Sequence, residues 1–289
     1  VLWCTTLHEG DSLKIKFTKM SAGGNDFIVI DRREGNTVEV TPVFFREACR
    51  RKFSIGADGV LLLENSTSAD VRLRIFNPDG SEAEMCGNGA CCTALYITLN
   101  STHPIPRERQ YVTIDTKAGM LEAVVTDENR VKLKMTAPKD MRFDLKAELS
   151  GTEYGLYFVN TGVPHTIIFV EDLRNIPVDE WGRKIRHLRD FSPDGTNVDF
   201  VKVDSDKAIS LRVYERGVEK ETLSCGTGAV AAAIVAAKTG KVKKSPVGVY
   251  PYGGLPLRVY FRLLRGKITD TYLESEVWVS YIGEIEWQN

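Results

Sequence analysis

The chain has only four histidines, no Cys-x-x-Cys pair, and no histidine among its clustered cysteines Cys86, Cys91 and Cys92, so a structural zinc site is disfavoured. No GxxxxGK[ST] loop occurs, and no Gly-x-Gly-x-x-Gly opens a helix, which removes the common nucleotide-binding readings. Excess charge of one sign is also missing. Lys and Arg number 38 against 39 Asp and Glu, a net charge of −1, and nothing points to nucleic acid or an anionic membrane as a partner. Long apolar runs are absent too: AVAAAIVAA at 229–237 is the longest uncharged one and is far too short to cross a bilayer. The opening VLWCTTLHEGDS lacks both a basic lead and a sustained apolar segment and does not read as a secretory signal. Residues 1–12 are taken as an extension without an assigned role. On that reading the six cysteines are expected to be reduced thiols in a cytoplasmic protein, and a structural disulfide is disfavoured.

What the chain does have is one arrangement written twice. Residues 84–92 read EMCGNGACC and residues 223–231 read LSCGTGAVA. Upstream of each lies a similar strand-like run, LRIFN at 73–77 and LRVYE at 211–215, offset by 138 residues, while the cysteines are offset by 139. KFS at 52–54 and DFS at 190–192 are again 138 apart, and GGNDFIVID (23–31) matches GVPHTIIFVE (162–171) with Asn25 against His165, an offset of 140. Four landmarks in one order at nearly constant offset argue for duplication.

The composition, 43% apolar and 27% charged, is that of a globular protein long enough for two ordinary domains. Runs such as FIVID, GVLLL, VRLRIF, TIIFV, NVDFVKV and LRVYE predict strands. Helices are predicted over roughly 88–99 and 227–238, apolar almost all round and therefore central and buried. The expected fold is α+β: two pseudo-symmetric domains, each a mostly antiparallel sheet wrapped around a buried helix, with the active site in the cleft between them. The expected halves are 13–130, completed by the C-terminal strand 278–289, and 131–277.

Each paired cysteine stands at a helix mouth, where unpaired N–H groups and flanking glycines admit an anion. A helix dipole worth up to about 2 kcal/mol would bring a thiol from ~8.5 to about 7, a value suited to proton transfer at neutral pH. Two such cysteines facing one another across the cleft would titrate as a coupled pair. A thiolate and a thiol on opposite sides of a carbon are what inversion of a stereocentre requires. Cys4, Cys49, Cys91 and Cys92 read as inert thiols.

Together, GGNDF (23–27), RIFNPDGSE (74–82), MCGNGA (85–90), Pro164-His165, Asn197, ERG (215–217) and CGTGA (225–229) resemble the diaminopimelate epimerase family from about residue 13 to the C-terminus. The proline and hydroxyproline racemases, related by mechanism, usually carry His where this chain has Asn88. The resemblance implies interconversion of LL- and meso-2,6-diaminopimelate without pyridoxal phosphate, metal or any other cofactor, in lysine and peptidoglycan precursor biosynthesis, by a homodimer. It implies Cys86 and Cys225 as the acid/base pair, with His165 and Glu215 tuning the two thiols. The amides at Gly87, Asn88, Gly226 and Thr227 would cradle the reacting carboxylate, with Asn25 near the reacting amino group. Asn77, Asn197 and Arg216 would grip the distal carboxylate, and Glu215 the distal ammonium. A zwitterion at each end of a substrate calls for such groups rather than an apolar pocket, although Asn77 alone reads as a turn residue and Arg216 alone as a surface charge.

Three positions depart from the family pattern. Val163 stands where Asn commonly precedes Pro-His, Cys91 where Arg often follows the first box, and Gly59 where some members place Gln. At Val163 and Gly59 only backbone could reach a substrate. The readings that remain beside the epimerase are a proline-type racemase and a non-catalytic amino-acid-binding or redox-sensing protein on the same scaffold.

Overall fold

The computed structural model describes residues 13–33, 40–100 and 111–287. Cys4 and the extension 1–12 lie outside the described residues. The fold is α+β and rich in sheet, and the chain forms two compact units, Val1–Glu122 with Val277–Asn289, and Ala123–Glu276.

The first unit contains β1 (Leu13–Ala22), β2 (Asn25–Asp31), α1 (Pro42–Cys49), β3 (Gly59–Glu64), β4 (Val71–Phe76), β5 (Glu82–Ala83), α2 (Gly87–Asn100) and β6 (Val112–Thr116). The strand β7 (Gly119–Asp127) carries the chain into the second unit. β1 runs antiparallel to β2, β2 is parallel to β3 with Phe27 opposite Gly59, and β4 is antiparallel to β3 and β5 but parallel to β6. Thr41 caps α1, its side chain accepting from the Phe44 amide, and Pro42 follows at a position that needs no N–H. α2 buries Gly89–Leu95 and Ile97 and packs against β1, β2, β3, β4 and β6, as its lack of a polar face requires.

The second unit contains β8 (Arg130–Lys134), β9 (Lys139–Leu149), β10 (Thr152–Asn160), β11 (Pro164–Phe169), α3 (Val178–Arg186), β12 (Asn197–Ser205), β13 (Ala208–Glu215), β14 (Lys220–Thr222), α4 (Gly226–Lys238), β15 (Val247–Pro251), β16 (Leu257–Leu264) and β17 (Lys267–Trp287). The last of these continues into the first unit, where it pairs with β1. β10 is antiparallel to β11, β11 is parallel to β12 with His165 opposite Asn197, and β13 is antiparallel to β12 and β14 but parallel to β15. The order of parallel and antiparallel pairs thus repeats that of the first unit. Antiparallel pairs outnumber parallel ones in both units, as expected, and the parallel pairs arise where a helix returns the chain to a neighbouring strand: β2 with β3, β4 with β6, β11 with β12 and β13 with β15.

α4 is buried from Gly228 to Ala236. Val159, Ile167, Val201, Leu211, Val249, Val259 and Leu273 close over it from seven strands, which leaves the Ala-rich helix no solvent face. Small side chains let those strands approach, and burial at about 25 cal/mol per Å² stabilises a helix with no amphipathic stripe.

Candidate active site

The first cysteine immediately precedes α2 and the second is the N-cap of α4, where Cys225 has extended backbone. Their carbonyls close the first helical turn alike, accepting from Ala90 N at 2.9 Å and from Ala229 N at 2.9 Å. The amides of Gly87 and Asn88, and of Gly226 and Thr227, lie in first turns that have no carbonyl one turn earlier. Each pair therefore presents donors to an anion.

In the first unit, the Cys86 sulfur accepts from the Gly89 amide at 3.4 Å. The expected thiol lowered by its helix mouth is not found here. Burial pushes the Cys86 thiol up, with the Asp58 carboxylate acting the same way, while the Gly89 and Asn88 amides pull it down by less. Asn88 Nδ2 donates to Asn25 Oδ1 at 2.9 Å, and Asn25 Nδ2 donates to Asp58 Oδ2 at 3.2 Å. A cluster invisible in the sequence motifs anchors this chain. Asp26 pairs with the buried Lys19 at 2.7 Å and with Arg51 at 2.5 Å, and Arg51 reaches Asp58 at 2.8 Å. Burial alone would raise the Asp26 carboxyl, but the Arg51 and Lys19 bonds and charges outweigh it and hold it at about 2.

Asn77, in the same unit, is exposed in a tight turn, where it donates to Ser81 Oγ at 3.0 Å. It does not meet Asn25 or Asn88 there. Gly59 opens β3 opposite Phe27, and a Cβ would lie 2.8 Å from the Phe76 carbonyl oxygen, so only backbone fits. Cys91 is buried on α2.

In the second unit, His165, Thr227 and Cys225 meet at the start of α4, the Glu215 carboxylate bears on His165, and Asn197 is bonded to the Arg216 amide. His165 is fully buried; its Nδ1 is 2.7 Å from Asp199 Oδ2 and its Nε2 is 2.9 Å from Thr227 Oγ1. Cys225 Sγ lies 3.4 Å from the same Thr227 hydroxyl. Burial opposes the imidazolium, but the Asp199 carboxylate, aided by Cys225, pushes His165 up to about 10. Burial also raises Glu215, as does Asp199, while a short bond from the Thr222 hydroxyl and the His165 charge lower it. Asn197 donates to the Pro164 carbonyl at 2.9 Å and accepts from the Arg216 amide at 2.8 Å. The turn after Arg216 places Gly217 at φ +90°, a conformation that glycine adopts without strain. Glu219, paired with Arg186 at 2.7 Å, accepts from the Gly217 amide and holds that turn. The Val163 carbonyl accepts from Thr161 N at 3.2 Å.

Arg216 lines a hollow of about 420 Å³ whose wall mixes charged and amide groups, Arg142, Asn160, Asp190 and Asp194, with the stacked rings of Phe158 and Phe191. Asp199, Asp58, Lys19 and Arg51 were not singled out from the sequence. A carboxylate inside the apolar run NVDFV was the one available sign for Asp199. Among the described residues no group of His, Cys, Asp and Glu could hold a metal, and no helix is long and apolar enough to cross a membrane.

The family profile described as diaminopimelate epimerase matches residues 17–140 and 157–259. A diaminopimelate epimerase from Archaeoglobus fulgidus is 46% identical over 256 residues, covering 84% of this chain and 88% of that one. One from Chlorobaculum tepidum is 41% identical over 266 residues, covering 92% and 99%. Two solved structures share the fold at low identity. A phenazine biosynthesis protein of the PhzF family from Bacillus anthracis aligns with TM-score 0.71 at 18% identity over 96% of this chain and 99% of that one. A hydroxyproline epimerase from Agrobacterium vitis aligns with TM-score 0.63 at 17% identity over 95% and 91%. With two cysteine-led helix mouths, a buried histidine beside the second, and these relatives along nearly its whole length, the chain belongs to the diaminopimelate epimerase family.

Proposed function

We propose that the protein interconverts LL- and meso-2,6-diaminopimelate by a two-base mechanism without a cofactor. The observation that carries the reading is the pair of Cys-Gly-x-Gly helix mouths in a member of this family. One of Cys86 and Cys225, as thiolate, takes the α-proton and leaves a carbanion; the other, as thiol, gives a proton to the opposite face. Protons balance, and the two sulfurs exchange roles with each turnover. The amides of Gly87, Asn88, Gly226 and Thr227 stabilise charge on the adjoining carboxylate as the carbanion forms. Asn25 holds the reacting amino group, with Gly59 and Val163 able to add backbone contacts only. Arg216, Asn197 and Asn77 bind the distal carboxylate and Glu215 the distal ammonium, while His165 and Glu215 tune the thiols. Two domains descended from one duplicated unit explain why two cysteines serve one reaction, and the active enzyme is a homodimer.

Incubation of the purified protein with LL-diaminopimelate, followed by separation of stereoisomers, tests the reading. The meso isomer is expected to accumulate toward equilibrium. A folded protein that produces none, and that exchanges no α-hydrogen in deuterium oxide, would overturn it.

A further inference from the structure

We propose that Asp199 and the side chain of Thr227 are positioning residues that act through His165, forming a hydrogen-bonded relay that presents a positive charge to the sulfur of Cys225. The functional meaning of this relay rests on the epimerase reading; its existence does not. The relay runs from Asp199 Oδ2 to His165 Nδ1 at 2.7 Å, from His165 Nε2 to Thr227 Oγ1 at 2.9 Å, and from Thr227 Oγ1 to Cys225 Sγ at 3.4 Å.

Geometry gives the relay its sense. With Nδ1–H committed to the carboxylate, a protonated ring donates Nε2–H to the threonine oxygen, and the hydroxyl hydrogen is left for the sulfur. A neutral ring would instead accept the hydroxyl hydrogen at Nε2, and Thr227 could donate nothing to Cys225. The ring's protonation therefore decides which way the His165–Thr227 and Thr227–Cys225 bonds point, while Nδ1–H donates to Asp199 in either state. Asp199 and His165 are both fully buried, and Asp199 Oδ1 has no other partner. A buried carboxylate so placed requires a cation beside it, consistent with an imidazolium raised to about 10. The other charged or titratable groups that bear on His165 are Glu215 on β13 and Cys225 at the head of α4.

Two further features agree. A Cβ at Gly228 would lie 2.4 Å from Asp199 Oδ1 and 3.2 Å from His165 Cε1. The second glycine of the CGTG box thus makes room for the relay beneath the first turn of α4. The first unit has a comparable chain, Asp58 to Asn25 to Asn88, but beyond the Asp58 carboxylate its two links are amides that carry no charge, and no cation stands in it. Cys86 takes its bond from the Gly89 amide instead. Of the two thiols, Cys225 alone stands at the end of a charged relay.

The test measures alkylation of the full-length protein by iodoacetamide without substrate, with Cys225 and Cys86 quantified separately by peptide mass spectrometry. Asp199→Asn and Thr227→Val are each expected to slow Cys225 at neutral pH by about tenfold or more while Cys86 changes by less than about twofold. Thr227→Ser, which keeps the hydroxyl, is expected to restore Cys225 to within about threefold of the unaltered protein. In Asp199→Asn the surviving Cys225 reactivity should also acquire a dependence on pH as the now unsupported imidazolium loses its proton. Cys225 unaffected by both Asp199→Asn and Thr227→Val, equal slowing of both thiols, or failure of Thr227→Ser to restore the rate would each overturn the relay. Because no substrate is involved, that failure is distinguishable from a failure to epimerise.

Discussion

Cys86 and Cys225 open their helices alike, yet one sulfur rests against a backbone amide and the other against a threonine hydroxyl backed by a buried ion pair. Cys86→Ala or Cys225→Ala is expected to abolish epimerisation, since each face needs its own proton carrier. Cys91→Ala should stay within about tenfold, or roughly 1.4 kcal/mol of barrier. A stereoisomer assay on the folded variants decides between these outcomes. At the distal end, Arg216→Lys replaces a planar fork by a point charge. It should lose catalytic efficiency by about 30-fold or more, corresponding to roughly 2 kcal/mol for one desolvated charge-assisted pair. Lysine, which lacks the distal carboxylate, should be a very poor substrate in kinetics on the purified protein. Asp26 carries a pH dependence of stability. Its folded pKa of about 2 lies below the ~3.9 of an unfolded aspartate, so its contribution is present above about pH 4 and lost as pH falls through about 2. Denaturant midpoints measured through that window should fall less steeply in Asp26→Asn than in the unaltered protein.

At the scale of elements, α2 and α4 are buried all round, and what differs is the clearance at their first turns. Gly89 faces the far end of the Leu61 side chain at 2.9 Å, whereas Gly228 faces the Asp199 carboxylate at 2.4 Å and the His165 ring. Gly228→Ala should cost about 1–3 kcal/mol by overpacking, more than the roughly 1 kcal/mol gained from alanine's helix preference. Gly89→Ala should be close to neutral. Thermal unfolding checks both: the first should lower the melting temperature by about 2–4 °C per kcal/mol of net loss, and the second should leave it almost unchanged. Both helices were legible from composition, because a run without a polar face has to be covered on every side. The strands that cover α4 come from seven separate segments, and no local pattern states which ones.

For the whole molecule, the two units repeat the same order of parallel and antiparallel strand pairs, each with its helix entered from a cysteine. A reaction run by two thiols needs no metal or carbonyl cofactor. Activity is therefore expected to survive dialysis against EDTA and treatment with hydroxylamine unchanged; loss of activity to either, reversed by adding back metal or pyridoxal phosphate, would contradict the two-thiol chemistry. Sedimentation equilibrium is expected to give twice the 32.3 kDa of the chain.

Local order along the chain determined a good deal. The cysteine boxes, the apolar helices behind them, the strand-like runs and the Gly217 turn all depend on residues a few positions apart, where periodicity and cap chemistry act. Tertiary structure decided which polar groups meet. Asp199 reaches His165 across 34 residues and His165 reaches Thr227 across 62, while Asn25 meets Asp58 across 33. Those partners are set by the register of parallel strands and by the helix packed against them, neither of which a short stretch of sequence encodes. Burial belongs to the same class. A helix mouth predicts a lowered thiol from local geometry alone, but desolvation of Cys86 arises from the chain folded around it, and there it is the larger effect.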